Sequence, residues 1–141
     1  MNIYFSFSIT GGREFQPVLQ AMAQQMLAAG CDVPTAMNTC ENIDPAERQR
    51  SAQEIYRRDI AWIDACDMVV AEVSTPSHGV GYEIAYALMQ NKPVHCFYRS
   101  DVVISKMISG NDDDKLHVAG YTDLDDLRHA LQGLIVNCRP D

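Results

Sequence analysis

Residues Asn2 to Ser8 alternate, with Ile3, Phe5 and Phe7 on one face and Tyr4, Ser6 and Ser8 on the other, which predicts a β-strand. Gly11-Gly12 ends it. From Arg13, the positions Phe15, Val18, Leu19, Met22 and Met26 follow helical spacing, and Gly30 stands where a helix C-cap glycine belongs. A short strand over Cys31 to Pro34 is predicted next, then a patternless polar loop from Thr35 to Asp44. Asp44-Pro45 supplies an N-cap and a first-turn proline for a helix reaching about Ala65, whose buried stripe reads Ala52, Ile55, Tyr56, Trp62 and Ile63. Met68 to Val73 is an apolar run suited to a strand covered on both faces. After STPSHGVG the pattern predicts a helix from about Tyr82 to Gln90, a strand from Val94 to Tyr98 and a short helical stretch from Val102 to Ile108. A last strand, Leu116 to Ala119, and an amphipathic helix, Asp123 to Val136, complete the chain.

The resulting order, βαβαβαβαβα, predicts a single domain over residues 1–141: a doubly wound, five-stranded parallel sheet, flavodoxin- or Rossmann-like, with helices on both faces. Ligands of such sheets sit at the carboxyl ends of the strands, so Ser8 to Arg13 and Ser74 to Gly81 are the loops to inspect. Composition narrows the partners. With 11 Lys+Arg against 19 Asp+Glu the net charge is −8, which argues against nucleic acid and against an anionic membrane surface. MNIYFSFSITGG has no basic leader and turns polar early, so neither a signal peptide nor a membrane span is expected there. Five scattered cysteines and four dispersed histidines form no metal pattern; reduced thiols, no metal and no cofactor are expected, in the cytoplasm or, in a eukaryote, the nucleus.

The candidate chemistry lies in two carboxylates. Glu83 follows STPSHGVGY in the expected first turn of a helix, whose dipole favours its ionised form. Gly79 and Gly81 let the backbone approach a ligand, and Ser74, Thr75 and Ser77 add hydroxyl donors. An ionised carboxylate beside a pocket suits attack on a sugar carbon, although Glu is also an ordinary first-turn residue. Asp59 lies on the apolar side of its helix, where a carboxyl becomes either a general acid or half of an ion pair with Arg57 or Arg58. Tyr4 shares a strand face with Ser8 and points to the same sheet edge, to orient a carboxylate or merely to pack. Gly11-Gly12-Arg13 is a phosphate grip or a plain turn. Asp67 and Glu72 read as structural.

YFSFSITGGRE, RRDIAWIDACDMVVAEVSTPSHGVGYEIAYALMQNKPV and VVISKMISG together resemble the 2'-deoxynucleoside 5'-phosphate N-hydrolases, N-glycosidases of the nucleoside 2-deoxyribosyltransferase superfamily. The likeness omits about Cys31 to Arg50 and the last helix. It implies cleavage of a 2'-deoxynucleoside 5'-monophosphate to free base and 2-deoxyribose 5-phosphate. Glu83 matches the nucleophile that forms a glycosyl ester, Asp59 its acidic partner, and Tyr4 the tyrosine that positions the nucleophile. The implied substrate-binding set is Ser6, Phe7, Ser8, Ile9, Thr10, Gly11, Gly12 and Arg13, then Ser77 and Gly79, with Ser105 and Met107 of a homodimer's neighbouring subunit. The chain departs from the family at Pro34-Thr35-Ala36, where members carry T-E-H, and at Thr10, where an arginine is frequent. A deoxyribosyltransferase and a non-catalytic nucleotide-binding module are the competing readings.

Overall fold

The computed structural model describes residues 1–9, 14–40 and 49–138. Four parallel strands pair in chain order: β1 (Ile3–Ser6), β2 (Met68–Glu72), β3 (Val94–Arg99) and β4 (Leu116–Tyr121). The expected fifth strand is absent. From Cys31 to Pro34 only Asp32 pairs, through a single bridge to Asn2. Pro34 then opens a 3-10 turn, Pro34–Thr39, which turns the chain away from β1. The edge of β1 is sealed instead by a side chain: the Phe5 N–H donates to Thr35 Oγ1 at 3.1 Å. A buried donor thus finds its acceptor without a further strand. The departure at Pro34-Thr35-Ala36 therefore has a structural use in this chain.

Alternation along the strands divides two hydrophobic layers. Ile3, Phe5, Val70 and Phe97 face α1 (Gln16–Ala28) and α5 (Leu124–Asn137), packing on Met22, Met26, Leu131 and Ile135. Tyr4, Val69, Ala71 and Cys96 face the other way, onto Ile63 of α2 (Ala52–Ala65) and Val80, Ile84 and Ala87 of α3 (His78–Met89). Because the chain leaves β1 toward one layer and β2 toward the other, the crevice at their carboxyl ends is the switch point where ligands bind in such sheets. The short α4 (Lys106–Ser109) connects β3 to β4.

Several boundaries differ from the pattern reading. Gly30, at φ +77°, does close α1 as expected. The predicted start of α2 at Asp44-Pro45 lies outside the described residues, and the helix that ends at Ala65 begins at Ala52. Its start is a reciprocal cap: Ser51 Oγ accepts from Glu54 N at 3.2 Å and the Glu54 carboxylate accepts from Ser51 N at 2.7 Å. α3 begins at His78 rather than Tyr82, because Ser77 caps it by accepting from Val80 N at 3.4 Å. Gly79 and Gly81 are consequently helical, and Glu83 stands in the second turn.

Candidate active site

The period-2 pattern of β1 puts Tyr4 and Ser6 on the layer facing α3, where they are 2% and 1% exposed. Two buried hydroxyls need partners. Glu83, on the inward side of α3, supplies both: Tyr4 OH donates to Oε1 at 2.9 Å and Ser6 Oγ donates to Oε2 at 2.5 Å. Each carboxylate oxygen is held by a different strand residue, so the group has little freedom to rotate. Burial dominates its ionisation and pushes the Glu83 carboxyl above its ordinary value, with the hydrogen bonds from Ser6 and Tyr4 pulling the other way and the Asp59 charge adding to the rise. The helix N-terminus expected to favour the ionised form is thus outweighed by desolvation. The Tyr4 phenol is also raised, first by burial and then by the Glu83 and Asp59 charges, so it remains a donor.

Asp59 reaches the same place from α2. The expected ion pair exists, with Arg58 Nη2 at 2.8 Å and Arg58 Nε at 2.9 Å from Oδ1. Arg58 in turn lies over the Trp62 ring, 4.5 Å from its centroid. Of the predicted stripe of α2, Ile63 is buried and Ile55 and Trp62 are half-buried, whereas Ala52 is exposed and Tyr56 is 52% exposed. Tyr56 stands at the rim of a cavity of about 290 Å³ that Asp59, Ile60, Ile63, Gly79, Tyr82 and Glu83 also line. The Tyr56 and Tyr82 hydroxyls are 3.2 Å apart there. Sequence reasoning missed Tyr56, Ile60 and Tyr82 as lining residues. The only hint was that Tyr82 directly precedes Glu83 and Tyr56 lies one turn before Asp59.

Other candidates fall around this centre. A second cavity, about 580 Å³, is lined by Thr75, Ser77, Val80, Gly81 and, from the β3–β4 connection, Ser105 and Met107. Ser105 caps α4, its Oγ accepting from Met107 N at 3.2 Å, and Met107 is 83% exposed. Ser8 is half-buried and Ile9 exposed. Phe7 packs with Phe5, their ring centroids 4.8 Å apart, in the layer on the opposite face from Glu83. Ser74, expected to offer its hydroxyl outward, is buried and spends it on Glu72. Thr10, Gly11, Gly12 and Arg13 lie outside the described residues. Among the described residues no group of three or more His, Cys, Asp or Glu side chains is placed to hold a metal, and no helix is long and apolar enough to cross a membrane.

Burying Glu83 has a measurable cost. Its folded pKa lies above the unfolded value of about 4.5, so its contribution to stability is present below that value and lost as pH rises through the folded pKa. Glu83→Gln keeps the shape and removes the charge. The variant should therefore melt above the parent at neutral pH, with the gap closing as the pH falls toward about 4.5; thermal melts across that range test this, and a gap independent of pH would refute it.

Known proteins resemble this chain in sequence and in fold. The family model described as nucleoside 2-deoxyribosyltransferase matches residues 3–137. A protein of Methanosarcina mazei, provisionally named 2'-deoxynucleoside 5'-phosphate N-hydrolase 1, is 35% identical over 136 residues, covering 96% of this chain and 82% of that one. The 5-hydroxymethyl-dUMP N-hydrolase of Danio rerio is 37% identical, covering 78% of each chain. In structure, the CMP N-glycosidase of Clostridium botulinum superposes with a TM-score of 0.73 at 15% identity, covering 95% of this chain and 99% of that one.

Proposed function

Because this chain belongs to the nucleoside 2-deoxyribosyltransferase family, whose members act on N-glycosidic bonds, we propose that it hydrolyses 2'-deoxynucleoside 5'-monophosphates to free base and 2-deoxyribose 5-phosphate. The observation that carries the reading is the Glu83 carboxylate, fixed through both oxygens by Tyr4 and Ser6 at the wall of a cavity that Asp59 shares. A carboxylate so held suits attack on C1'. As the C1'–Oε bond forms and the C1'–N bond breaks, Asp59, released from Arg58 and protonated in the substrate complex, gives its proton to the departing base. Asp59 then takes a proton from water, whose oxygen displaces Glu83 from C1' and regenerates both groups. No cofactor enters this scheme.

The relatives at 30% identity or better that are named above bear N-hydrolase names, provisional for the Methanosarcina mazei protein, which supports water over a second base as acceptor. In the proposal the phosphate is held by residues of the Ser8–Arg13 stretch of sequence with Ser77 and Gly79. Ser105 and Met107, whose side chains stand exposed beside an apolar cavity, serve the neighbouring site of a homodimer. Five unpaired cysteines support a cytoplasmic setting.

Each charge-assisted hydrogen bond to phosphate contributes roughly 1.5–3 kcal/mol. A 5'-monophosphate should therefore exceed its free deoxynucleoside by about a hundredfold or more in kcat/KM. The matching ribonucleotide should react more slowly, because a 2'-hydroxyl destabilises an oxocarbenium-like transition state. Chromatography of free base from all three substrates, with and without an acceptor base, tests the proposal. Equal use of the nucleoside, or transfer outpacing hydrolysis, would favour the transferase reading; no base release from any substrate would favour a binding module.

A further inference from the structure

We propose that Glu72 is a positioning residue whose carboxylate locks the Ser74–Ser77 turn and thereby sets the phosphate side of the site. The inference rests on the reading of Ser77 as a phosphate contact.

Glu72 is the last residue of β2 and is 2% exposed, yet the proposed chemistry makes no use of it. Three donors converge on it. The Ser74 N–H reaches Oε2 at 3.2 Å, Tyr121 OH reaches Oε1 at 3.0 Å, and the Ser74 hydroxyl also donates to Oε1. Ser74 Oγ in turn accepts from the Arg99 N–H at 2.8 Å. Arg99 and Tyr121 are the last residues of β3 and β4, so one buried carboxylate gathers the ends of three strands. Burial pushes the Glu72 carboxyl up, and the hydrogen bonds from Ser74 and Tyr121, with the nearby Arg99 charge, work against that rise.

The geometry calls for a carboxylate. An amide has to aim its NH₂ either at the Ser74 N–H, which cannot reverse, or at two hydroxyls that would both lose their acceptor. From Ser74 the chain runs through Thr75 and Pro76 to Ser77, and the fixed φ of Pro76 makes that short span stiff. Thr75, Pro76 and Ser77 line the larger cavity, and Ser77 caps the helix that carries Glu83. Glu83 has its own anchors in Tyr4 and Ser6. Loosening Glu72 should therefore disturb the binding of phosphate and spare the chemistry.

In the full-length protein, Glu72→Gln should raise KM for the deoxynucleoside 5'-monophosphate about tenfold, with kcat within about twofold and kcat/KM for the free nucleoside unchanged. Amide hydrogen exchange from Ser74 to Val80 should quicken in the same variant. If Glu72→Gln does not fold, Ser74→Ala removes the hydroxyl that bridges Glu72 to the Arg99 N–H, leaving only the Ser74 N–H on Glu72, and is read in the same two ways. An unchanged phosphate preference, or an equal loss on both substrates, overturns the proposal. If the parent enzyme itself shows no phosphate preference, the functional reading fails, and the exchange rates decide alone whether Glu72 holds the turn: parent-like rates overturn it.

Discussion

Glu83→Ala should lower kcat by about four orders of magnitude, the scale of losing a covalent nucleophile, with the far-ultraviolet circular dichroism of the parent retained. The expectation follows from how much of the local structure is organised around this one side chain. Tyr4 and Ser6 are buried polar groups on a strand that otherwise supplies core, and both donate to Glu83. Alanine removes the attacking oxygens and orphans two hydroxyls, yet it leaves Val80, Ile84 and Ala87 to pin α3 against the sheet. The pH profile supplies an independent reading. Attack needs the ionised form, and burial raises the carboxyl above about 4.5, so the acid limb of kcat/KM should lie above the ordinary glutamate range. Activity of the alanine variant within tenfold of the parent would remove Glu83 from the chemistry.

Asp59→Asn should cost about a hundredfold or more with a natural base and much less with an analogue whose leaving group departs without a proton. Asp59 is ion-paired with Arg58 and also stands in the cavity wall beside Glu83. Only one of these engagements depends on the leaving group. Asparagine preserves size and hydrogen bonding but cannot deliver a proton to the base. An equal loss on both kinds of substrate would make the Arg58 pair the whole role of Asp59, acting through the shape and charge of the cavity.

Much of this was legible in the chain because the signals were local. Alternation in β1 put Tyr4 and Ser6 on one face, and the apolar runs located β2 and β3. Where the reading failed, a competing interaction had won. The strand expected at Cys31–Pro34 was stopped by proline and replaced by the Thr35 hydroxyl, a single long-range bond that no periodicity reveals. HGVG looks like a loop because glycine disfavours helix, but the Ser77 cap and the packing of Val80 hold it helical. The capping box at Ser51 and Glu54 was present in the letters and was overshadowed by Asp44-Pro45. Tyr56 carried helical spacing but lines a cavity, since an aromatic at a site mouth and one in a core have the same pattern. The role of Glu72 required knowing that three strand ends meet.

The bonds that hold the Glu83 carboxylate span 79 and 77 residues of chain, whereas the strand that precedes it and the helix that bears it are neighbours in sequence. Contacts close in sequence form at less entropic cost than distant ones. A chain with β2, α3 and β3 wound together would hold a Glu83 that is still hydrated, without its donors and no more reactive than any surface glutamate. Docking of β1 onto such a chain would bring both hydroxyls to the carboxylate together, since Tyr4 and Ser6 lie on one strand. If Glu83 is the nucleophile, catalytic competence then requires the docking of β1 and is lacking in any chain in which only β2, α3 and β3 have assembled.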